Sequence, residues 1–339
     1  MKEKSSILYI GHYDIGSTSK MRGEYLQQLI PDSEFLIINI DVPINSTPRL
    51  LRSMGWRYKR GPLISNINNY ITKALNGKYN FDLVWIDKGV FIDPEIIYRL
   101  KKNSAKLVHF TPDPAFTYHR SKLFYDALDL YDFCITTKSF EIESYKKYGV
   151  KTIFCTQGFD PKVHKSYHTF REKEGVVFIG HKEEEREFII SQLVDKNIRV
   201  TIAGNHWDKF AAKRKHKSNL IYKGKGIFGE EYARELSAAL IGLGLLSKWV
   251  PELHTTRTFE IPACKTALVT EHNPEIGSVF SDDEVIYYDD PDEAVTKIEY
   301  YLAKKERLIP FTENAYKKVT DGGYSYIEIL SKILKQIND

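Results

Sequence analysis

The stretch VVFIGHKEEEREFIISQLVDKNIRVTIAG, residues 176–204, decides the fold. Two apolar, β-branched runs, VVFIG (176–180) and RVTIAG (199–204), flank EEEREFIISQLVDKN, whose apolar positions recur at helical spacing. Runs with so little polar alternation suit parallel strands buried on both faces. Strand, helix and strand in succession make a right-handed βαβ unit. The same pattern extends outward in both directions. Upstream lie ILYIG (7–11), EFLIINI (34–40), LVWID (83–87), KLVHF (106–110), FCITT (133–137) and TIFCTQ (152–157). Downstream lie LIYKG (220–224), AALIGLGLL (238–246), TALVTE (266–271) and EVIYYD (284–289). Segments such as SKMRGEYLQQLI, SFEIESYKKYG and DEAVTKIEYYLAKKERL supply amphipathic helices between them. The expected fold is α/β, with two Rossmann-like, doubly wound parallel sheets facing a central cleft, where open α/β sheets bind ligands.

A chain of 339 residues can bury two cores, since single cores stop growing at about 250–300 residues. The polar stretch GFDPKVHKSYHTFREKEG (158–175) reads as a linker, giving a first domain over 1–165, a second over 175–322 and a terminal helix over 323–339. A net charge of +4 is too mild for a polycation, so no nucleic-acid partner is expected. The opening MKEKSSILYIG runs straight into a strand without a long apolar leader, and no window reaches the roughly 18 apolar residues of a membrane span. Cys134, Cys155 and Cys264 are odd in number and scattered, which fits neither a disulfide framework nor a zinc cluster. A cytoplasmic protein without a metal site is expected.

The loops carry the chemistry. In GHYDIGSTSKMR (11–22), Gly11 and Gly16 bracket a turn whose backbone can approach an anion, or which is an ordinary capped βα turn. The G-x-G-x-x-G spacing and the lysine-bearing P-loop are absent, which disfavours a nicotinamide enzyme or a nucleotide triphosphatase. Gly180 ends the first strand of the second half. Arg186 follows and either orients phosphate or pairs with a neighbouring glutamate. In HTTRTFEIPAC (254–264), Thr255 or Thr256 can cap a short helix whose free N–H groups, with the Arg257 fork, form an anion seat. Glu260, one turn along, can accept both hydroxyls of a ribose, or simply pair with Arg257. His254 is a donor candidate toward a sugar or diphosphate, or a satisfied structural histidine.

RTFEIPAC followed by an apolar strand and TE, with VVFIGHKEEERE upstream and DEVIYYDDPDEAVTKIEYYLAKKERL downstream, resembles the CgeB-like glycosyltransferases, a group with the GT-B fold. VHFTPDPAF and FCTQGFDPKVH extend the likeness into the first half. The resemblance implies a donor domain in the second half, with Arg257 on the diphosphate and Glu260 on the ribose, and an acceptor domain in the first. Glu252 and Glu260 match the E-x7-E spacing of many GT-B enzymes, in which the first glutamate faces the donor sugar. Lys265 stands where the family usually has glycine, and would bring charge there instead.

An inverting transfer needs a base for the acceptor hydroxyl. Asp14, Asp113 and His119 are the candidates, each after a predicted strand, and Lys88 can hold an acceptor phosphate or carboxylate. Asp290 and Asp292, in DPD, open a helix and read as caps rather than as a manganese site. The lysine-rich run 209–226 suits a solvated face or contact with an anionic membrane at its inner face. The expectation is a metal-independent glycosyltransferase requiring no cofactor. Its donor is a UDP-sugar by preference, or a GDP-sugar, and its acceptor a glycan, lipid-linked or protein hydroxyl. A sugar-nucleotide epimerase and a non-catalytic sugar-nucleotide-binding protein are the alternatives.

Overall fold

Each half of the chain winds six strands into a wholly parallel sheet, as the buried apolar runs predict. The computed structural model describes residues 5–339; the opening MKEK, read as leading directly into the first strand, lies outside the described residues. The first sheet comprises β1 (Ser6–Gly11), β2 (Glu34–Asn39), β3 (Leu83–Asp87), β4 (Lys106–Thr111), β5 (Phe133–Thr136) and β6 (Lys151–Phe154), in the order β2-β1-β3-β4-β5-β6. The second comprises β7 (Val176–Ile179), β8 (Val200–Ala203), β9 (Leu220–Tyr222), β10 (Ile241–Leu243), β11 (Ala267–Glu271) and β12 (Ile286–Tyr288), in the order β12-β11-β10-β7-β8-β9. Strand order reverses between β1 and β3 and again between β7 and β10. At such switch points the loops diverge to opposite faces and leave a crevice outside the carboxyl ends.

Alternation along the strands fills both faces of the second sheet. Val176, Phe178, Val200 and Ile202 pack on Ile189, Ile190 and Leu193 of the helix Glu184–Asp195. The intervening Val177, Ile179 and Ala203 pack with Phe259 and Ile261 of the helix Arg257–Ala263. In the first sheet, Leu8, Ile10, Val84 and Ile86 share a core with Leu63, Ile67, Ile71 and Leu75, a single stripe of the helix Pro62–Leu75. Three helices, Asp41–Ser46, Arg49–Tyr58 and Pro62–Leu75, occupy the crossover from β2 to β3, where the sequence reading assigned none. Gly55 brings the last two together, since a Cβ there would stand 2.4 Å from that of Leu63.

The chain forms two compact units, Met1–Cys155 with Leu330–Asp339, and Thr156–Ile329. The stretch read as a linker therefore lies inside the second unit. It is docked there rather than solvated. The backbone N–H groups of Tyr167 and His168 donate to Ser237 Oγ, at 2.7 and 3.1 Å, and Lys173 Nζ donates to Ser237 O and Thr266 Oγ1. Among the described residues no helix is long and apolar enough to cross a membrane.

His109 illustrates how the first sheet sets its own pH range. Its buried ring lies 4.4 Å from Phe124 and its Nε2 is 3.2 Å from Lys88 O. Burial pushes its pKa down to about 4, against the partial support of the Lys88 carbonyl. Between about pH 6.5 and 4 the unfolded chain therefore binds a proton that the folded chain refuses. Stability present above 6.5 is lost as pH falls through that window, by up to roughly 3 kcal/mol. Urea unfolding at pH 7 and pH 4.5 should show a smaller drop in His109→Gln than in the parent; equal drops would assign the proton elsewhere.

Candidate functional site

Two arginines converge at the carboxyl end of β7, at the switch point with β10. Arg257 opens the helix Arg257–Ala263, and its Nη1 and Nη2 donate to Ile179 O and Leu245 O, both at 3.2 Å. Arg186, buried on the helix Glu184–Asp195, donates Nη2 to the same Leu245 oxygen at 3.1 Å and Nη1 to His181 O at 3.1 Å. Each guanidinium carbon lies 5.6 Å from the centre of the Phe178 ring. Gly180 must be small here, because a Cβ would come within 2.9 Å of that ring and 3.3 Å of Arg257 Nη1.

Charge at this point is unbalanced. Glu183 pairs with Arg186 at 2.9 Å while also accepting from Lys248 N and meeting His181 Nε2 at 2.7 Å. Arg186 thus pairs with a helix neighbour, but in a buried network and not on a solvated surface. Among the described residues Arg257 forms no ion pair. Burial, reinforced by the like charge of Arg257, pushes Arg186 down to about 10. The Nε atoms of both arginines are buried without a hydrogen-bond partner, an unmet donor capacity that in a native protein calls for an explanation. Glu252 is half-buried nearby, its carboxylate accepting weakly from Ser247 N at 3.4 Å, and its charge is felt by Arg186.

Glu260 does not pair with Arg257. Its Oε2 accepts from Tyr232 Oη at 2.5 Å, and its Oε1 faces His164 Nε2 at 3.6 Å. Asp160 N donates to His164 Nδ1 at 2.9 Å, and this hydrogen-bond pattern assigns the imidazole proton to Nε2, toward the carboxylate. Burial, and then the Glu260 charge, raises the Tyr232 phenol well above its ordinary value, so it stays a donor. Neither Tyr232 nor His164 stood out in the sequence. Tyr232 reads as one tyrosine of an amphipathic helix, and His164 sits in the apparent linker.

The neighbouring residues depart from expectation. Neither threonine caps the helix through its side chain. Thr258 Oγ1 instead accepts from Thr255 N at 3.1 Å, and Thr255 Oγ1 is buried without a partner. His254 accepts from Gln157 N at 2.8 Å through Nε2 and meets Glu275 at 3.0 Å through Nδ1. Both ring nitrogens are thus engaged, and donation to a sugar would require breaking the Glu275 contact. Lys265 adopts a left-handed backbone, φ 52°, and its ammonium pairs with Glu313 at 2.8 Å. Its charge goes to that pair, and its conformation is one that glycine adopts without strain.

In the first unit, Gly16 supplies a left-handed turn, φ 83°, and Ser17 caps the following helix by accepting from Ser19 N. Asp14 is tied down, its two oxygens accepting from Asn39 Nδ2 at 3.1 Å and Asn45 Nδ2 at 3.0 Å. Those bonds brace the loop. Asp113 is placed differently. Its Oδ2 pairs with Lys88 Nζ at 2.7 Å and lies 3.9 Å from His119 Nε2, all three side chains being about one-third exposed. Lys88, immediately after β3, holds a left-handed φ of 70°, a strain concentrated at functional positions. Burial alone would raise Asp113, but Lys88 and then His119 hold it below its ordinary value. Burial lowers His119, Asp113 opposes, and the charges of Lys88 and Lys59 add to the lowering. His119 is therefore neutral at pH 7 and able to accept a proton.

Comparison with known proteins agrees with this architecture. Residues 182–335 match the family model described as "Glycosyl transferase-like". No curated protein sequence matches the chain. Sucrose-phosphate synthase from Thermosynechococcus elongatus superposes with a TM-score of 0.69 at 13% identity, over 98% of this chain and 99% of its own. Anabaena HepE in complex with UDP gives 0.68 at 12% identity, over 98% and 99%. A glycosyltransferase from Rickettsia africae gives 0.67 at 12%, over 98% and 97%. In fold the chain is a GT-B protein, and over residues 182–335 it is similar to the glycosyl transferase-like family.

Proposed function

We propose that the protein transfers a glycosyl group from a nucleoside-diphosphate sugar, UDP-linked by preference, to a hydroxyl of a glycan, lipid-linked or protein acceptor, and that it is of the CgeB-like kind. The observation that carries this reading is the pair of guanidiniums at the end of β7, Arg186 buried and Arg257 half-buried, with one carboxylate in contact to balance them. Transfer breaks the bond between the anomeric carbon and the diphosphate oxygen. The electron pair leaves with the diphosphate, and Arg257 and Arg186 meet that growing charge with no metal required. Glu260, aimed by Tyr232 and His164, accepts the ribose hydroxyls, and Glu252 lies toward the sugar. In this reading the second unit, which includes His164, serves the donor and the first unit the acceptor. The presence of UDP and of UDP-glucose in HepE structures supports the uridine preference.

The acceptor hydroxyl is assigned to Asp113 and His119. Asp113, fixed by Lys88, orients it by accepting its hydrogen bond, and neutral His119 is the group beside it that can take its proton.

Calorimetry with UDP, GDP and their sugar conjugates tests the donor half. UDP should bind the parent enzyme, and Glu260→Ala should weaken it about 10- to 100-fold by losing hydrogen bonds to a charged acceptor. His119→Gln and Asp113→Asn should lower transfer while leaving that affinity unchanged. Failure of every nucleotide to bind the parent would sink the reading, and isomerisation of the donor without transfer would replace it with an epimerase.

A further inference from the structure

Between Asp41 and Asp82 the chain contains no acidic residue and seven lysines and arginines. At the centre of this segment lies the helix Arg49–Tyr58, of which only Gly55 is buried. Leu50, Met54 and Tyr58 follow one another at i, i+4 and i+8, on one face, and are 73%, 49% and 51% exposed. Arg49, Arg57 and Arg60 are exposed around them, and the guanidiniums of Arg57 and Arg60 each lie 5.6 Å from the Tyr58 ring. Among the described residues none of these arginines, nor Arg52, forms an ion pair. The helix is anchored from behind by the Gly55 contact with Leu63 and by the edge of Trp56 against Phe91, 4.6 Å between centroids.

We propose that this helix docks the protein on an anionic lipid bilayer, lying in the headgroup plane with Leu50, Met54 and Tyr58 inserted and the arginines on the lipid phosphates. Charge decides the occupant. A second copy seated on the same face would bring like-charged patches together, and a nucleic acid would leave Leu50 and Met54 in water. An apolar face rimmed by unpaired arginines matches the interface between acyl chains and acidic headgroups. Ten residues span about 15 Å, enough to lie on a bilayer and too short to cross it. The lysine-rich run 209–226 is a weaker candidate, since Lys217 and Lys223 there already pair with Asp195 and Glu235. The inference stands independently of the proposed transfer.

Sedimentation of the full chain with phosphatidylglycerol-containing vesicles, against pure phosphatidylcholine vesicles, tests it. The parent should pellet with the anionic vesicles and be released by salt. Arg49→Gln with Arg57→Gln should weaken binding about thirtyfold at low salt, at about 1 kcal/mol per charge. Leu50→Ser with Met54→Ser should weaken it at least about tenfold. Circular dichroism of both pairs should match the parent, these side chains being exposed. Absence of vesicle binding by the parent, or equal binding by both variant pairs, would overturn the proposal. So would loss of a concentration-dependent dimer in the variants while vesicle binding persists.

Discussion

Replacing Arg257 with alanine is expected to lower turnover by about a hundredfold to a thousandfold while leaving the fold in place. The size follows from position. The guanidinium bridges the carbonyls of Ile179 and Leu245 across the β7/β10 switch point and forms no ion pair among the described residues, so in the proposed reaction its charge is the one offered to the leaving diphosphate. Losing one preorganised donor to a developing anion typically costs that much in rate. Its removal strands no carboxylate, and its neighbours lose only two long hydrogen bonds to backbone oxygens. Arg186→Ala should behave differently. It leaves Glu183 buried without its arginine, so a loss of thermal stability should accompany the loss of rate. Steady-state kinetics with thermal unfolding of both variants separates the two roles. Turnover in Arg257→Ala within threefold of the parent would take this residue out of the chemistry.

The strands were legible because strands of a parallel sheet are covered on both sides, and burial on both sides writes itself as an unbroken apolar run. LVWID shows this most plainly: all five residues of β3 are buried, and the run coincides with the strand. Of the three helices between β2 and β3, Pro62–Leu75 carries a core-facing stripe that periodicity can detect and was passed over, whereas Arg49–Tyr58 turns its apolar residues outward and lacks such a stripe. Arg257 and Glu260 were legible as a pair on a short helix. The side chains they meet were not. Glu260 takes its partners from Tyr232 and His164, which no local spacing connects to it, and the expected threonine cap is missing, the Thr258 hydroxyl accepting instead from the Thr255 N–H before the helix. Spacing along one element shows which side chains can share a face; which of them meet a group from another element depends on packing between elements.

The largest effect on stability is expected from Arg22→Ala, which should cost the first unit about 3–5 kcal/mol. Arg22 and Asp87 are both fully buried and form a bidentate pair, Nε to Oδ2 at 2.7 Å and Nη2 to Oδ1 at 3.0 Å. The guanidinium lies 4.6 Å from the Phe110 ring, and Tyr9 Oη adds a third bond to Asp87 at 3.1 Å. Removing the arginine leaves Asp87 charged in an apolar interior, which is the expensive half of breaking such a pair. Replacing both partners, as Arg22→Met with Asp87→Leu, should cost less than the single change because no charge is stranded. The pair lies beneath the β1/β3 switch point, where Gly11 has no room for a Cβ against Ser19 Oγ, at 2.6 Å, or Asp87 Cβ, at 2.9 Å. Asp87 also precedes Lys88, whose left-handed backbone presents its ammonium to Asp113. The double variant should therefore fold and still lose transfer, because the ion pair sets the geometry of the loop that carries Lys88. Calorimetric unfolding and transfer rates of the three proteins decide this: an Arg22→Ala transition at the parent's temperature, or full activity in the double variant, would show that the pair supports neither the sheet nor the loop.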